Sequence, residues 1–391
     1  MEANAPPTAA AERRRLIGDV TAGAGPLFVS TGGVHGNEPA GTVALERVVE
    51  ALRREPGGFR GRLLALAGNL GALAEGVRYR DVDLNRAWTA ERLAELEQLT
   101  DAEAEEQRGL GELLRAAATE RSPGFDAYFL DLHTSSAEGI PFACIGDTLR
   151  NRRFARGFPV PVVLGLEEQI DGALLEHLNC AGFVTLGFEG GQHGAAAAVE
   201  NHEAAVWAGL ASAGMLPRQD PRAVAARARL AERSRGVPPV LEIRYRHALA
   251  PRDEFRMRPG FANFGPVARG QVLAEHEGTE VRAHYAARVL LPLYQGRGDD
   301  GFFLARQISP RWLTLSAVLR RTGMRRLAPL LPGVRRHPSR PDCLLVDRRV
   351  ARWFTVEVFH LLGFRKRRAH GEQLSVCHRP HDAAGPDRIV L

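Results

Sequence analysis

From residue 26 to about residue 214, apolar runs short enough to be strands alternate with stretches of helical periodicity, and nothing else in the 391-residue chain constrains the fold as much. "PLFVSTGG" reads as a strand and "PAGTVALERVVEALRR" as the helix after it, with Pro39 at the permissive first turn. "GRLLALAGN", "FDAYFLDLHT", "PFACIGD", "PVVLGL" and "GFVTLGFEGG" read as further strands; the charged stretch from Thr89 to Glu120 and "NHEAAVWAGLASAG" read as helices. Such alternation builds an α/β domain around a largely parallel sheet. The arginine-rich stretch 216–238, ending in "GVPP", reads as a linker, and beyond it short glycine-punctuated strands without helical periodicity predict a small all-β domain. The expected organisation is an α/β domain over 1–235, a small β domain over 236–310 and a basic C-terminal extension over 311–391.

Composition narrows the classes. No run approaches the roughly 18 continuous apolar residues of a membrane span and the N-terminus has no apolar signal core, so the expectation is a cytoplasmic protein without a membrane partner. Cys144, Cys180, Cys343 and Cys377 form no CxxC pair, which predicts reduced, structural thiols rather than a disulfide framework or a thiolate metal site. The formal charge of +6 suits an anionic partner such as nucleic acid, but Lys366 is the sole lysine and acidic residues are interspersed with the arginines. That pattern reads as a genomic preference for arginine, not as a nucleic-acid surface.

The chemistry concentrates at strand ends. In "STGGVHGNEPAG", His35 and Glu38 lie just beyond a strand, in a loop that leads into a helix, the edge where α/β sheets bind ligands. Zinc in hydrolytic sites commonly takes two histidines and one carboxylate and leaves a position open, and an HxxE pair supplies two such ligands. The spacing alone is weak; the position is the better signal. "FLDLHTSS" offers His133 at the end of another strand, with Asp131 two residues earlier able to orient an imidazole. Glu189 closes a third apolar strand in "VTLGFEGGQHG", where a carboxylate is costly unless a site uses it as a base. "EGVRYRDVDLNRAW" gathers Arg78, Arg80, Asn85 and Arg86, donors suited to a substrate carboxylate or a developing oxyanion, with Arg80 read as a surface residue.

Four motifs in order, "GGVHGNE", "RYRDVDLNR", "DLHTS" and "FEGG", resemble the succinylglutamate desuccinylase and aspartoacylase family of zinc carboxypeptidase-like hydrolases, over roughly residues 26 to 210. The β-rich segment to about residue 310 resembles that family's C-terminal β domain, and the last 80 or so residues resemble nothing identified. The resemblance implies a zinc carboxypeptidase-like fold, one zinc ion held by His35, Glu38 and His133, and Glu189 as the catalytic carboxylate. It further implies Arg78 on the scissile carbonyl, Asn85 and Arg86 on the carboxylate of the amino-acid product, and Tyr294 lent by the β domain. One departure bears on specificity: aspartoacylases carry an arginine about ten residues before the catalytic glutamate, whereas no arginine lies between Arg156 and Glu189. The reading is a zinc-dependent hydrolase of a small N-acyl amino acid or related amide or ester. The alternatives are a carboxypeptidase-like hydrolase of a peptide-like or conjugated substrate, and a metal-binding or interaction protein without turnover.

Overall fold

The computed structural model describes residues 14–250, 252–347, 349–350, 356–370 and 373–391. Strands β1 (Leu16–Ala22), β2 (Leu27–Gly32), β3 (Gly61–Ala67), β4 (Ala127–Ser135), β5 (Phe142–Ile145), β6 (Val162–Leu164), β7 (Val184–Gln192) and β8 (Val240–Ala248) lie in one twisted sheet. The expected strand runs are all present. β2 pairs parallel with β3 and β4, and β4 parallel with β7, which sets β2, β4 and β7 side by side with their C-terminal ends on one edge.

The helices are α1 (Ala40–Arg54), α2 (Leu70–Glu75), α3 (Ala90–Glu95), α4 (Ala102–Thr119), α5 (Leu149–Ala155), α6 (Leu174–Ala181), α7 (Ala196–Ser212) and α8 (Pro221–Arg233). α1 shows why they form. Its buried Ala44, Leu45, Val48, Val49 and Leu52 recur at three- and four-residue spacing, while Glu46, Arg47, Glu50, Arg53 and Arg54 face water. Every residue of β2 is buried, because successive side chains enter different cores: Phe28 packs with residues of α1 and α7, and Leu27 and Val29 pack with residues of α4 and α6. Each such Leu, Val or Phe contributes up to about 1.5–3 kcal/mol on burial.

The stretch read as a linker is a helix. Asp220 accepts from the Arg222 N–H at the start of α8, Pro221 occupies the first turn, and Ala223, Ala226 and Leu230 bury against the α1 and α7 core. The arginines that suggested a linker form its outer face.

The β region follows with β9 (Phe255–Met257), β10 (Pro266–Val267), β11 (Val272–His276), β12 (Thr279–Arg282), β13 (Ala287–Leu290) and β14 (Asp300–Gln307). β8 is parallel to β6, and β14, β13 and β10 continue antiparallel from it, so this region extends the central sheet to eleven strands among the described residues. β12, β11 and β9 form a separate three-stranded sheet.

The C-terminal extension holds α9 (Pro310–Arg321), α10 (Val356–Leu361) and an antiparallel sheet of β15 (Val334–Arg336), β16 (Cys343–Asp347), β17 (Phe364–His370) and β18 (Gln373–His378). Val334, Leu344, Val346, Phe359, Phe364 and Val376 form its own core. The expectation of reduced thiols fails here. Cys343 and Cys377 stand directly opposite on β16 and β18, with Cα atoms 4.1 Å apart, and are joined by a disulfide. Among the described residues no helix is long and apolar enough to cross a membrane.

Candidate active site

The loop after β2 turns tightly, with the Glu38 N–H donating to the His35 carbonyl at 3.1 Å and the Gly36 N–H to the Arg78 carbonyl at 3.1 Å. Gly36 permits this approach: a Cβ there would lie 2.0 Å from the Ala72 backbone of α2. His35 and Glu38 are thereby delivered, buried, to the end of β4, where His133 waits.

Both imidazoles aim at one carboxylate. His35 Nδ1 lies 3.0 Å from Glu38 Oε1 and His133 Nδ1 lies 3.2 Å from Glu38 Oε2, so three potential ligands gather within 4.8 Å. Two ligands each about 2.0–2.1 Å from one tetrahedral zinc stand roughly 3.3 Å apart, which these spacings match. The opposite ring nitrogens are held by carboxylates, His35 Nε2 by Asp83 Oδ1 at 3.1 Å and His133 Nε2 by Asp131 Oδ2 at 2.9 Å. Such partners keep the proton on Nε2 and leave the Nδ1 lone pair for a cation. Asp131 therefore serves His133, and is itself fixed by the Thr31 hydroxyl at 2.5 Å. Asp83 was not expected. It lies 48 residues from His35 in sequence, and only its place inside the "RYRDVDLNR" motif drew attention to its surroundings.

Glu189 sits directly across the parallel ladder from His133, and its Oε2 is buried with no hydrogen-bond partner among the described residues. Burial raises its carboxyl to about 7, a range suited to taking and returning a proton near neutrality. Gly190 after it leaves space for His202, whose Nε2 would lie 2.4 Å from a Cβ at that position and which donates to the His133 carbonyl at 2.8 Å. Burial drives His202 down to about 4, so it stays neutral beneath the site.

The charges do not balance. Glu38, Asp83, Asp131 and Glu189 face two imidazoles and one guanidinium, that of Arg78, which lies 3.0 Å from Asp83 and 3.7 Å from Glu38. Burial alone would depress His133 and raise Glu38, but Asp131 and Glu38 hold His133 well above the ordinary imidazole range, and His35 and His133 hold Glu38 well below the carboxylate range. The cluster thus attracts positive charge, which a divalent cation supplies more fully than protons do. The donor set fits a metal.

The same cleft, about 140 Å³, receives Arg78, Asn85 and Arg86. Asn85 Oδ1 accepts from the Leu174 N–H at 3.1 Å, leaving its amide N–H groups to the cleft. Arg86 lies 3.2 Å from Asp300 and 3.7 Å from Asp299. Arg80 pairs with Glu75 at the surface, as read. Tyr294 is not brought to the site: its hydroxyl donates to the backbone carbonyls of Arg258 and Phe261 and accepts from the Phe261 N–H, while its neighbours Leu293 and Gln295 line the cleft. Gln295 instead bridges Asn37 at 3.0 Å and His193 at 3.2 Å, and His193 reaches Thr134 at 2.7 Å. The far wall is Cys144, Leu166, Ile170, Leu175 and Phe303 with one carboxyl, Glu167, which burial beside Glu176 raises to about 8.

Residues 24–200 match the family profile described as succinylglutamate desuccinylase/aspartoacylase catalytic domain. The fold is that of solved structures of such proteins. A succinylglutamate desuccinylase/aspartoacylase from Rhodobacter sphaeroides aligns with a TM-score of 0.54 at 19% identity, over 74% of this chain and 88% of that one. The product-bound ectoine utilization protein EutE (DoeB) from Ruegeria pomeroyi gives 0.53 at 22%, over 73% and 87%. Succinylglutamate desuccinylase from Vibrio parahaemolyticus gives 0.51 at 15%, over 73% and 82%.

Proposed function

We propose that the protein, whose residues 24–200 match the succinylglutamate desuccinylase/aspartoacylase catalytic-domain profile, is a zinc-dependent deacylase of small N-acyl amino acids or closely related amides or esters. The observation that carries this reading is the convergence of two oriented imidazole Nδ1 atoms on Glu38, beside the unpartnered Oε2 of Glu189. His35, Glu38 and His133 would hold one zinc ion, which supplies Lewis-acid activation of water and of the scissile carbonyl. Glu189 takes the proton of the attacking water at Oε2 and hands it to the leaving nitrogen, a shuttle that a carboxyl near 7 performs in both directions. Arg78, kept charged by Asp83 and Glu38, donates to the carbonyl oxygen as negative charge develops there. Asn85 and Arg86 hold the carboxylate of the amino-acid portion.

The apolar far wall selects the acyl group. Among the described residues no arginine other than Arg78 and Arg86 lines the cleft, and Glu167 is protonated at neutral pH, so a small uncharged acyl group fits where a succinyl or other anionic one does not. A panel of N-acyl amino acids incubated with the zinc-loaded protein tests this. Turnover is expected on short neutral acyl groups, and Glu189→Gln should keep the metal while losing about a hundredfold or more of that turnover. Equal rates in the two proteins would remove Glu189 as the base, and metal retained at full stoichiometry in both His35→Ala and His133→Ala would remove the ligand set.

A further inference from the structure

From residue 301 to residue 341 the chain contains nine arginines and no carboxylate, and within that stretch α9 turns several apolar side chains outward. The face turned toward the protein carries the buried Ser316 and Arg320, and the face turned toward water carries Trp312, Leu315 and Val318. Met324, Leu327 and Leu330 extend the apolar face along the 3₁₀ segment Met324–Leu330. These six side chains are 39% to 79% exposed. Toward the protein, Arg320 pairs with Asp147 at 2.9 Å and with Asp382 at 3.2 Å. Leu313 and Leu319 pack partly against neighbouring cores, whereas Trp312, Leu315 and Val318 belong to no core among the described residues. Exposed apolar side chains gathered in this way mark a contact surface.

The surrounding charge decides what the surface contacts. Arg311, Arg321, Arg326, Arg335 and Arg336 are exposed, and none forms a salt bridge with a described residue. Two copies meeting through this face would bring like charges together. Beside α9, an apolar cavity of about 530 Å³ runs between Leu149 and Phe158 on one side and Leu313 and Ala317 on the other; among the described residues its charged lining is Arg152, Arg153, Arg156 and Arg321. An apolar stripe containing a tryptophan, set among unpaired arginines and next to an arginine-rimmed apolar cavity, matches the interfacial layer of an anionic bilayer, with acyl chains below and phosphate groups above. We propose that the outer face of α9 and the segment Met324–Leu330 dock this protein on an anionic membrane surface. This departs from the sequence-based expectation of no membrane partner, which concerned spanning segments, and it is independent of the chemistry assigned to the cleft.

Co-sedimentation of the full-length protein with phosphatidylcholine vesicles, with and without about one-third phosphatidylglycerol, tests the proposal. At least about tenfold stronger partition onto the anionic vesicles is expected, weakening as salt is raised. The triple variant Trp312→Ser, Leu315→Ser, Val318→Ser should lower that partition about tenfold or more while leaving hydrolysis of a soluble substrate unchanged. Each of Arg311→Gln and Arg326→Gln should lower it about fivefold. Because all five side chains are exposed, unchanged melting temperatures verify that the variants are folded. Equal partition onto neutral and anionic vesicles, or a triple variant that binds like the parent, overturns the proposal. So does a parent that binds no vesicle but forms a dimer abolished by the triple variant, which would assign the face to a second copy.

Discussion

The cleft and the joint between the central sheet and the C-terminal extension both bury carboxylates, but they balance them in opposite ways. In the joint the chain supplies the cations. Asp147 receives Arg152 and Arg320, each at 2.9 Å, and Arg365 as a third guanidinium, while Glu242 receives His360 at 2.8 Å, Arg244 at 2.6 Å and Arg365. Around the candidate metal site, Glu38, Asp83, Asp131 and Glu189 face the Arg78 guanidinium and the imidazoles of His35 and His133. A closed ionic network of the first kind holds parts together; an open one of the second kind draws in an ion or a proton. The difference separates structure from chemistry in a protein where arginine is everywhere.

The sharpest way to break this comparison is Asp147→Ala. It leaves buried Arg152 without a carboxylate and takes one of two carboxylates from Arg320 and from Arg365, and removing one partner of a buried ionic network costs about 3–5 kcal/mol. Denaturant unfolding should show that loss, while the folded variant still binds one metal at His35, Glu38 and His133. A melting temperature within a degree or two of the parent would mean the joint is held by other contacts.

The two regions should also titrate with opposite sign. Burial opposes ionisation of Glu242, but His360 and Arg365 outweigh it and bring its carboxyl from 4.5 to about 2. A folded value below the unfolded one gives stability that is present above pH 4.5 and lost as pH falls toward 2, worth roughly 3 kcal/mol. Glu167 in the cleft wall moves from 4.5 to about 8, so its cost is absent below pH 4.5 and accumulates as pH rises to 8. Glu242→Gln should therefore weaken the fold at neutral pH and flatten its acid limb. Glu167→Gln should stabilise it at pH 8 and above and change little at pH 4. Unfolding free energies measured across pH 3–9 check both, and parallel curves for the three proteins would refute the contrast.

These regions were not equally legible. The strands could be read because a sheet covered on both faces needs continuous apolar runs, as β2, β4 and β7 show. His35, Glu38, His133 and Glu189 could be singled out because each ends such a run, and position at the sheet edge is a local property. Asp83 could not, since its partner is distant in sequence and acidic residues in loops are common. The joint was invisible for the same reason on a larger scale. Arg365 and Asp147 are 218 residues apart, and Arg152, Arg320, Arg365 and Arg379 look in sequence like any other arginine of a chain that nearly lacks lysine. Reading arginine as compositional bias fails at these four buried positions. The Cys343–Cys377 pair was hidden likewise, because strand register, not spacing, makes the two residues face each other.

A smaller effect sharpens the account of the cleft. Asp83 and Asp131 touch the imidazoles on the side away from Glu38, so their contribution is to orient and polarise a ligand rather than to bind the cation. Asp83→Asn should weaken zinc affinity about 10- to 100-fold in a chelator competition. Its effect on stability should be well below that of Asp147→Ala. Because Asp83 also holds Arg78 at 3.0 Å, kcat should fall further than zinc loss alone explains when the variant is assayed at saturating metal. Full recovery of kcat at high zinc would assign Asp83 to His35 alone.

The smallest effect concerns Arg86, the cation in the cleft that comes closest to the closed kind of network. Its guanidinium already faces Asp299 and Asp300, so a substrate carboxylate must compete with two protein carboxylates for it. A planar fork can serve both, offering separate N–H groups to each, whereas an ammonium is a point charge that the aspartates would hold. Arg86→Lys should therefore lower kcat/KM about tenfold on a free N-acyl amino acid and far less on its carboxamide analogue, which has no carboxylate to pair. Two enzymes and two substrates form a cycle in which the guanidinium and the carboxylate are removed separately and together. A coupling energy of about 1 kcal/mol or more would place the carboxylate on Arg86. Additive losses would mean that Asp299 and Asp300 keep Arg86 for the protein, as Asp147 keeps Arg320, and that the substrate's carboxylate is read by another group or is absent from the substrate.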